Sequence, residues 1–223
     1  MRMRRTKLVV LIAALIVIST INLYGAPNST LRLDFSNPGL YPSQWTLVIH
    51  PDGSGHFHAE GGTKPSYDET AMLPGKVDRD VNLSSSFAER AFHTARDKHL
   101  LSGKCESHLK VAFQGWKKIT YSGPDGERGC EFNYSKDKDI QELGDSLVAV
   151  ASTMLEGARL ELLLQHDPLG LDKAVEYIAE AADDGRLQQI CTIKDILERL
   201  ENDPHVMERV RKRARTLLAR NDN

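Results

Sequence analysis

Three histidines fall close together at His50, His56 and His58, and Glu60 follows two positions later. Imidazole nitrogen is a common ligand for zinc and copper, and a carboxylate completes many such sites. Spacing alone does not gather these side chains; a fold must do it. Two strand-like runs, Trp45 to His50 and His56 to Glu60, flank Pro51-Asp52-Gly53-Ser54-Gly55, which is strong turn chemistry, and together they predict a β-hairpin. With those five residues as the loop, His50 faces His56, Val48 faces His58, Thr46 faces Glu60 and Ile49 faces Phe57. Strand alternation then sets Trp45, Leu47, Ile49, Phe57 and Ala59 on one face, and Thr46, His50, His56, His58 and Glu60 on the other. Facing Cβ atoms in such a pair lie about 4.5–5.5 Å apart, close enough for His50 and His56 to share a metal, with His58 or Glu60 as a further ligand. The competing expectation is a solvent-facing strand surface rich in histidine, which titrates near neutrality.

Other chemistries fail on position. Ser84, Ser85 and Ser86 with His93 and Asp97 sit in no nucleophile elbow, and Ser86 with Glu89 reads better as a capping box. Gly53-Ser54-Gly55 lacks the following helix that would hold a phosphate. Glu127 and Glu131 flank Cys130 with nothing to mark them as an acid/base pair. No catalytic residue and no cofactor is therefore assigned, and the sequence points away from an enzyme. The three sequons at Asn28, Asn82 and Asn133 carry meaning only in a glycosylating host.

Three cysteines, Cys105, Cys130 and Cys191, leave room for one disulfide. His108 to Phe113, Trp116 to Tyr121 and Cys130 to Tyr134 read as a three-stranded meander. Its first and third strands begin at the same end, which brings Cys105 to Cys130. Cys191 falls beside Ile190 and Ile193 on a predicted helix and is expected to be buried. A second candidate surface is the helix carrying Arg209, Arg211, Lys212, Arg213, Arg215 and Arg220 without an acid between them. It is either a docking face for an anionic lipid or wall polymer, or an ordinary face offset by Glu198, Glu201, Asp203 and Glu208.

The elements that must position these groups follow from periodicity. Leu31 to Phe35 alternates as a strand, Gly61 to Gly75 is a loop, and a helix runs from Ser86 to about His99. After the meander, Ile140, Leu143, Leu147, Val150, Ala151, Met154 and Ala158 recur at helical spacing in a stretch from Lys138 to Leu164. Helices at 172–183 and 187–201, and a last one opening at Asp203-Pro204, carry no strand signal between them. The fold class is α+β: an antiparallel sheet, built from a hairpin plus a three-stranded meander, packed by helices and followed by a small all-α C-terminal appendage. Residues 1–25 form a signal peptide, 26–160 the α+β domain and 161–223 the helical appendage.

The signal peptide is read from Arg2, Arg4, Arg5 and Lys7, the apolar run Leu8 to Ile18 and the small residues around Gly25, after which the cut is expected. An uncleaved anchor is the alternative, the run from Leu8 to Tyr24 being near the lower limit for a span. Its removal takes four of the 29 Lys and Arg and none of the 31 Asp and Glu, leaving 25 against 31, a net charge near -6. That balance excludes nucleic acid as the main partner. The order hairpin, helix, meander, helix over Trp45 to Ala158, with Asp52-Gly53 in the hairpin turn, resembles small exported bacterial α+β proteins of unknown function. That resemblance implies a fold and no active site. The expectation is an extracytoplasmic, periplasmic or secreted protein that binds an unknown protein or envelope component. It touches the membrane only through its signal segment, and the alternative is a metal-binding protein or metal-dependent enzyme using the histidines.

Overall fold

The computed structural model describes residues 29–65, 72–97, 101 and 103–220, so the predicted signal segment and its cut lie outside the described residues. Six strands, β1 (Thr30–Ser36), β2 (Gln44–Ile49), β3 (Ser54–Glu60), β4 (Val77–Asn82), β5 (Trp116–Gly123) and β6 (Gly126–Phe132), form one antiparallel sheet in the order β4-β3-β2-β1-β5-β6. Helix α1 (Ser85–Arg96) joins the two halves of the sheet, and α2 (Lys138–His166), α3 (Leu171–Asp183), α4 (Lys194–Asn202) and α5 (Glu208–Leu218) follow. The architecture is α+β, with C-terminal helices that form an all-α appendage.

Period-two alternation gives the sheet one apolar face. Leu31, Leu33 and Phe35 of β1, Trp45, Leu47 and Ile49 of β2, and Phe57 and Ala59 of β3 are all buried. Phe35 stacks on Trp45 with ring centroids 4.7 Å apart, and such pairs contribute roughly 0.5–1.5 kcal/mol beyond their buried area. Over this face lie Phe87, Ala91, Phe92 and Ala95 of α1 and the N-terminal half of α2 from Ile140 to Met154. A second apolar cluster starts at Leu160 and Leu163 of the same helix and continues through α3, α4 and α5. Helix α2 therefore serves both cores.

Four local expectations need correction. The hairpin loop is shorter than five residues: His50 N–H donates to Ser54 O (2.7 Å) and Gly53 N–H to His50 O (3.0 Å), with Gly53 at φ +85°. This is a turn with Pro51 and Asp52 at its centre and a left-handed glycine bulge, a standard hairpin connection. The register moves by two: Val48 faces His56, Thr46 faces His58 and Gln44 faces Glu60. Strand β4 had no counterpart in the sequence reading, because Val77 and Val81 are its only apolar residues.

The run His108 to Phe113 forms no strand, so the meander has two strands rather than three. Side chains take the bonds that a neighbouring strand would have made. Glu106 accepts from the N–H groups of Asn133 (2.7 Å) and His108 (2.9 Å), while Asn133 accepts from Gln114 N–H and donates to Ala112 O. Gly115, at φ +117°, sits against the Phe35 ring where a Cβ would collide. The segment still runs beside the end of β6, and Cys105 is bonded to Cys130, both buried. Helix α1 is capped by Ser84, whose Oγ accepts from Phe87 N–H, rather than by Ser86. Cys191 is exposed rather than buried: Gln189, at φ +57°, breaks the predicted helix, and the 3-10 turn at Ile190–Ile193 buries Ile190, Thr192 and Ile193 instead.

Candidate functional site

The helices that pack on the sheet cover its apolar face, and the alternate side chains form an open polar face. The registers place a continuous row across all six strands: Asp78, His58, Thr46, Asp34, Lys118 and Glu131. One row toward the far end lie Glu60, Gln44, Ser36 and Trp116. Between these rows is a groove of about 360 Å³ lined by members of both, from Glu60 and His58 to Trp116, Lys118 and Glu131. Trp116 is 41% exposed, and Phe113 meets it edge-on with centroids 6.1 Å apart. An exposed indole beside polar groups on a rigid sheet is the common anatomy of a recognition surface.

The middle of the groove is fixed by hydrogen bonds. Arg32 donates to Asp34 from Nη2 (2.6 Å) and Nε (2.8 Å), and Thr46 Oγ1 donates to the same carboxylate (2.7 Å). Burial alone would raise the Asp34 carboxyl, but these bonds hold it below its ordinary value. Asp34 is thus a charged, oriented acceptor whose formal charge is balanced by Arg32.

The predicted metal ligands are not brought together as expected. His50 lies beyond the end of β2, exposed in the turn, and does not face His56. His56 and His58 instead face β4. His56 has Nδ1 3.1 Å from Asp80 and Nε2 3.2 Å from Asp78, and His58 has Nδ1 2.7 Å from Asp78 and Nε2 3.3 Å from Glu60. At His58 a carboxylate beside each nitrogen favours the imidazolium form, and imidazolium has no lone pair for a metal. The Asp78 bond, helped by Glu60, raises the His58 pKa above the ordinary imidazole value and holds Asp78 below the ordinary carboxylate value. Among the described residues no group of three or more histidine, cysteine, aspartate or glutamate side chains is gathered to hold a metal.

The basic helix is also committed internally. Arg209 and Arg213 reach Asp172 of α3 at 2.9 and 2.7 Å, Arg213 also reaches Glu176 (2.8 Å), and Arg220 reaches Asp183 (2.9 Å). Arg215 pairs with Glu201 of α4 (2.8 Å) and Arg211 with Glu208. Two of the four acids expected to offset this helix do so; α3 supplies the other partners. The serine candidates are likewise occupied, since Ser84 Oγ caps α1 and lies 3.3 Å from Ser86 Oγ.

Asp34, Gln44, Trp116, Lys118 and Glu131 were not singled out from the sequence as a group. Alternation in β1 and β5 was visible and would have placed Asp34, Trp116 and Lys118 on outward faces. What was not visible is that β5 pairs with β1, about eighty residues earlier in the chain, as in Ser36 opposite Trp116. No family model matches the chain, and no curated protein matches it significantly.

Proposed function

We propose that the chain is an exported, non-enzymatic binding protein of the cell envelope, and that the open sheet face is its recognition surface. The observation that carries this reading is the groove with Trp116 exposed at its rim, on a face that the packed helices leave open. The groove chemistry favours binding over catalysis. Thr46 spends its hydroxyl proton on Asp34, which Arg32 already pairs, and both nitrogens of His58 lie beside carboxylates. The basic-then-apolar N-terminus and the Cys105–Cys130 bridge support an oxidising, extracytoplasmic destination.

Two measurements test it. Mass spectrometry of the extracytoplasmic fraction should find Ala26 as the first residue; recovery from the cytosol would contradict export. The protein should also co-sediment with isolated cell envelopes, and the charge reversals Lys118→Glu and Glu131→Lys should each weaken that retention. Retention indifferent to both changes would remove this face from the function.

A further inference from the structure

We infer that the groove takes a neutral saccharide chain, one sugar ring stacking on Trp116 and the hydroxyls of successive rings bonding to Glu60, Gln44, Lys118 and Glu131. This names the ligand class of the surface described above and rests on that reading.

The first argument is the pairing of one flat apolar group with many polar ones. Trp116 is the large apolar side chain that the groove exposes, and the rest of its outward lining is carboxylate, amide, hydroxyl, imidazole and ammonium. A sugar ring presents the same division: an apolar C–H face for an indole, and a rim of hydroxyls that both donate and accept. Lys118 and Gln44 can donate to those hydroxyls, while Glu60, Glu131 and Gln44 can accept from them. A lipid tail would leave these groups unpaired, at a cost for each.

Charge narrows the class. Asp34 is balanced by Arg32, while Glu60, beside His58, and Glu131 flank the groove, and Asp78 and Asp80 extend the acid beyond it, against Lys118. An anionic polymer or phosphate would meet the Glu60 and Glu131 carboxylates at the two ends of the groove, with Lys118 as its counter-charge. A peptide is disfavoured for a different reason. A peptide that adds a strand needs an open sheet edge, whereas most of the groove lies over β1, β2, β3 and β5, whose backbone groups are already paired on both sides.

Shape favours a chain over a single small molecule. The volume is near the lower end of the roughly 300–1,000 Å³ typical of small-molecule sites. The polar row, however, spans six strands, about 24 Å at the usual strand spacing of about 4.8 Å, running from Glu131 at one end of the groove past His58 to Asp78 of β4. The groove holds the ring that stacks, and the row extends the contact to neighbouring rings.

The test is calorimetric titration of the exported chain with hexamers of β-1,4-glucose, β-1,4-mannose and β-1,4-N-acetylglucosamine, and with hexagalacturonate as the anionic comparison. Saturable binding of at least one neutral hexamer, and none of hexagalacturonate, is expected. Trp116→Ala should weaken it about tenfold, as loss of an aromatic anchor does, and Trp116→Phe should retain most of it. Glu131→Gln keeps the shape and should weaken it about threefold, the loss of one hydrogen bond of modest strength. Melting curves matching the parent establish that each variant is folded. Failure of all three neutral hexamers at millimolar concentration overturns the inference, as does equal binding of hexagalacturonate or parent-like binding by Trp116→Ala. If envelope retention still depends on Lys118 and Glu131 while the hexamers fail, the saccharide class is wrong and the recognition face stands.

Discussion

Arg79 of β4 grips Asp195 of α4 with both carboxylate oxygens at 2.9 and 2.8 Å from one guanidinium nitrogen. A second nitrogen of the same group lies 3.3 Å from Glu161 of α2. The Arg79 side chain is on the apolar side of β4 and mostly covered, so the edge of the sheet is tied to the helical appendage through one planar cation. With α2 passing through both cores, this bridge ties them together again from the edge of the sheet.

Removing that cation strands Glu161 and Asp195. Arg79→Met should lower stability by about 1–3 kcal/mol in urea unfolding, the range for hydrogen bonds to charged groups that are partly covered. Asp195→Asn should cost less, because Asp195 is more than half exposed. A double-mutant cycle that finds no coupling between the two would show the bridge to be incidental.

The covalent link makes a separate prediction. A disulfide closing the loop from Cys105 to Cys130 should contribute about 2–4 kcal/mol, so Cys105→Ser with Cys130→Ser should lower the urea midpoint accordingly. In the native protein a maleimide should label the exposed Cys191 and leave the buried pair intact until reduction. Labelling of Cys105 or Cys130 without a reductant would contradict the pairing.

Histidine titration reads the β3–β4 edge directly. His58 has its pKa raised by the Asp78 bond, so its contribution to stability is fully present below the unfolded imidazole value and is lost as pH rises through the folded value. Asp78 is lowered by the same bond, so its contribution is present above the ordinary carboxylate value and is lost as pH falls through its depressed value. The edge is therefore firmest above the ordinary carboxylate value and below the unfolded imidazole value. Imidazole NMR should place His58 above 6.5, and Asp78→Asn should return it toward that value. An unshifted His58 in the parent would remove the pair.

The arginines of α5 are expected to behave as internal braces. Arg213→Glu replaces two partly exposed ion pairs, each contributing roughly 0.2–1 kcal/mol, with repulsion from Asp172 and Glu176. A loss of about 1–2 kcal/mol should result, with sedimentation on anionic vesicles unchanged. Vesicle binding by the parent that disappears in this variant would reinstate the docking role.

These sites differ in how far they could be read from the chain. The apolar face of the hairpin was legible because Trp45, Leu47, Ile49, Phe57 and Ala59 alternate whatever the register. The polar face was not, since a two-residue change in register keeps each residue on its face while changing its partner. His58 thus met Thr46 and Asp78 instead of Val48. The disulfide was legible although one of the strands used to infer it does not form, because the segment still returns beside β6. Strand β4 was hidden by its charges, and its Asp78, Asp80 and Arg79 proved to be the groups that engage the histidines and the appendage. The groove was least legible of all, because it depends on the long-range pairing of β1 with β5.

The account stands on the open sheet face being covered when the protein is bound. Hydroxyl-radical footprinting, with and without isolated envelopes, measures that coverage side chain by side chain. Oxidation of Trp116 and Phe113 should fall on binding, while Tyr177 on α3 and Leu169 before it, both exposed far along the appendage, should react as before. Protection of Tyr177 and Leu169 with Trp116 unchanged would place the contact on the helices and contradict the account.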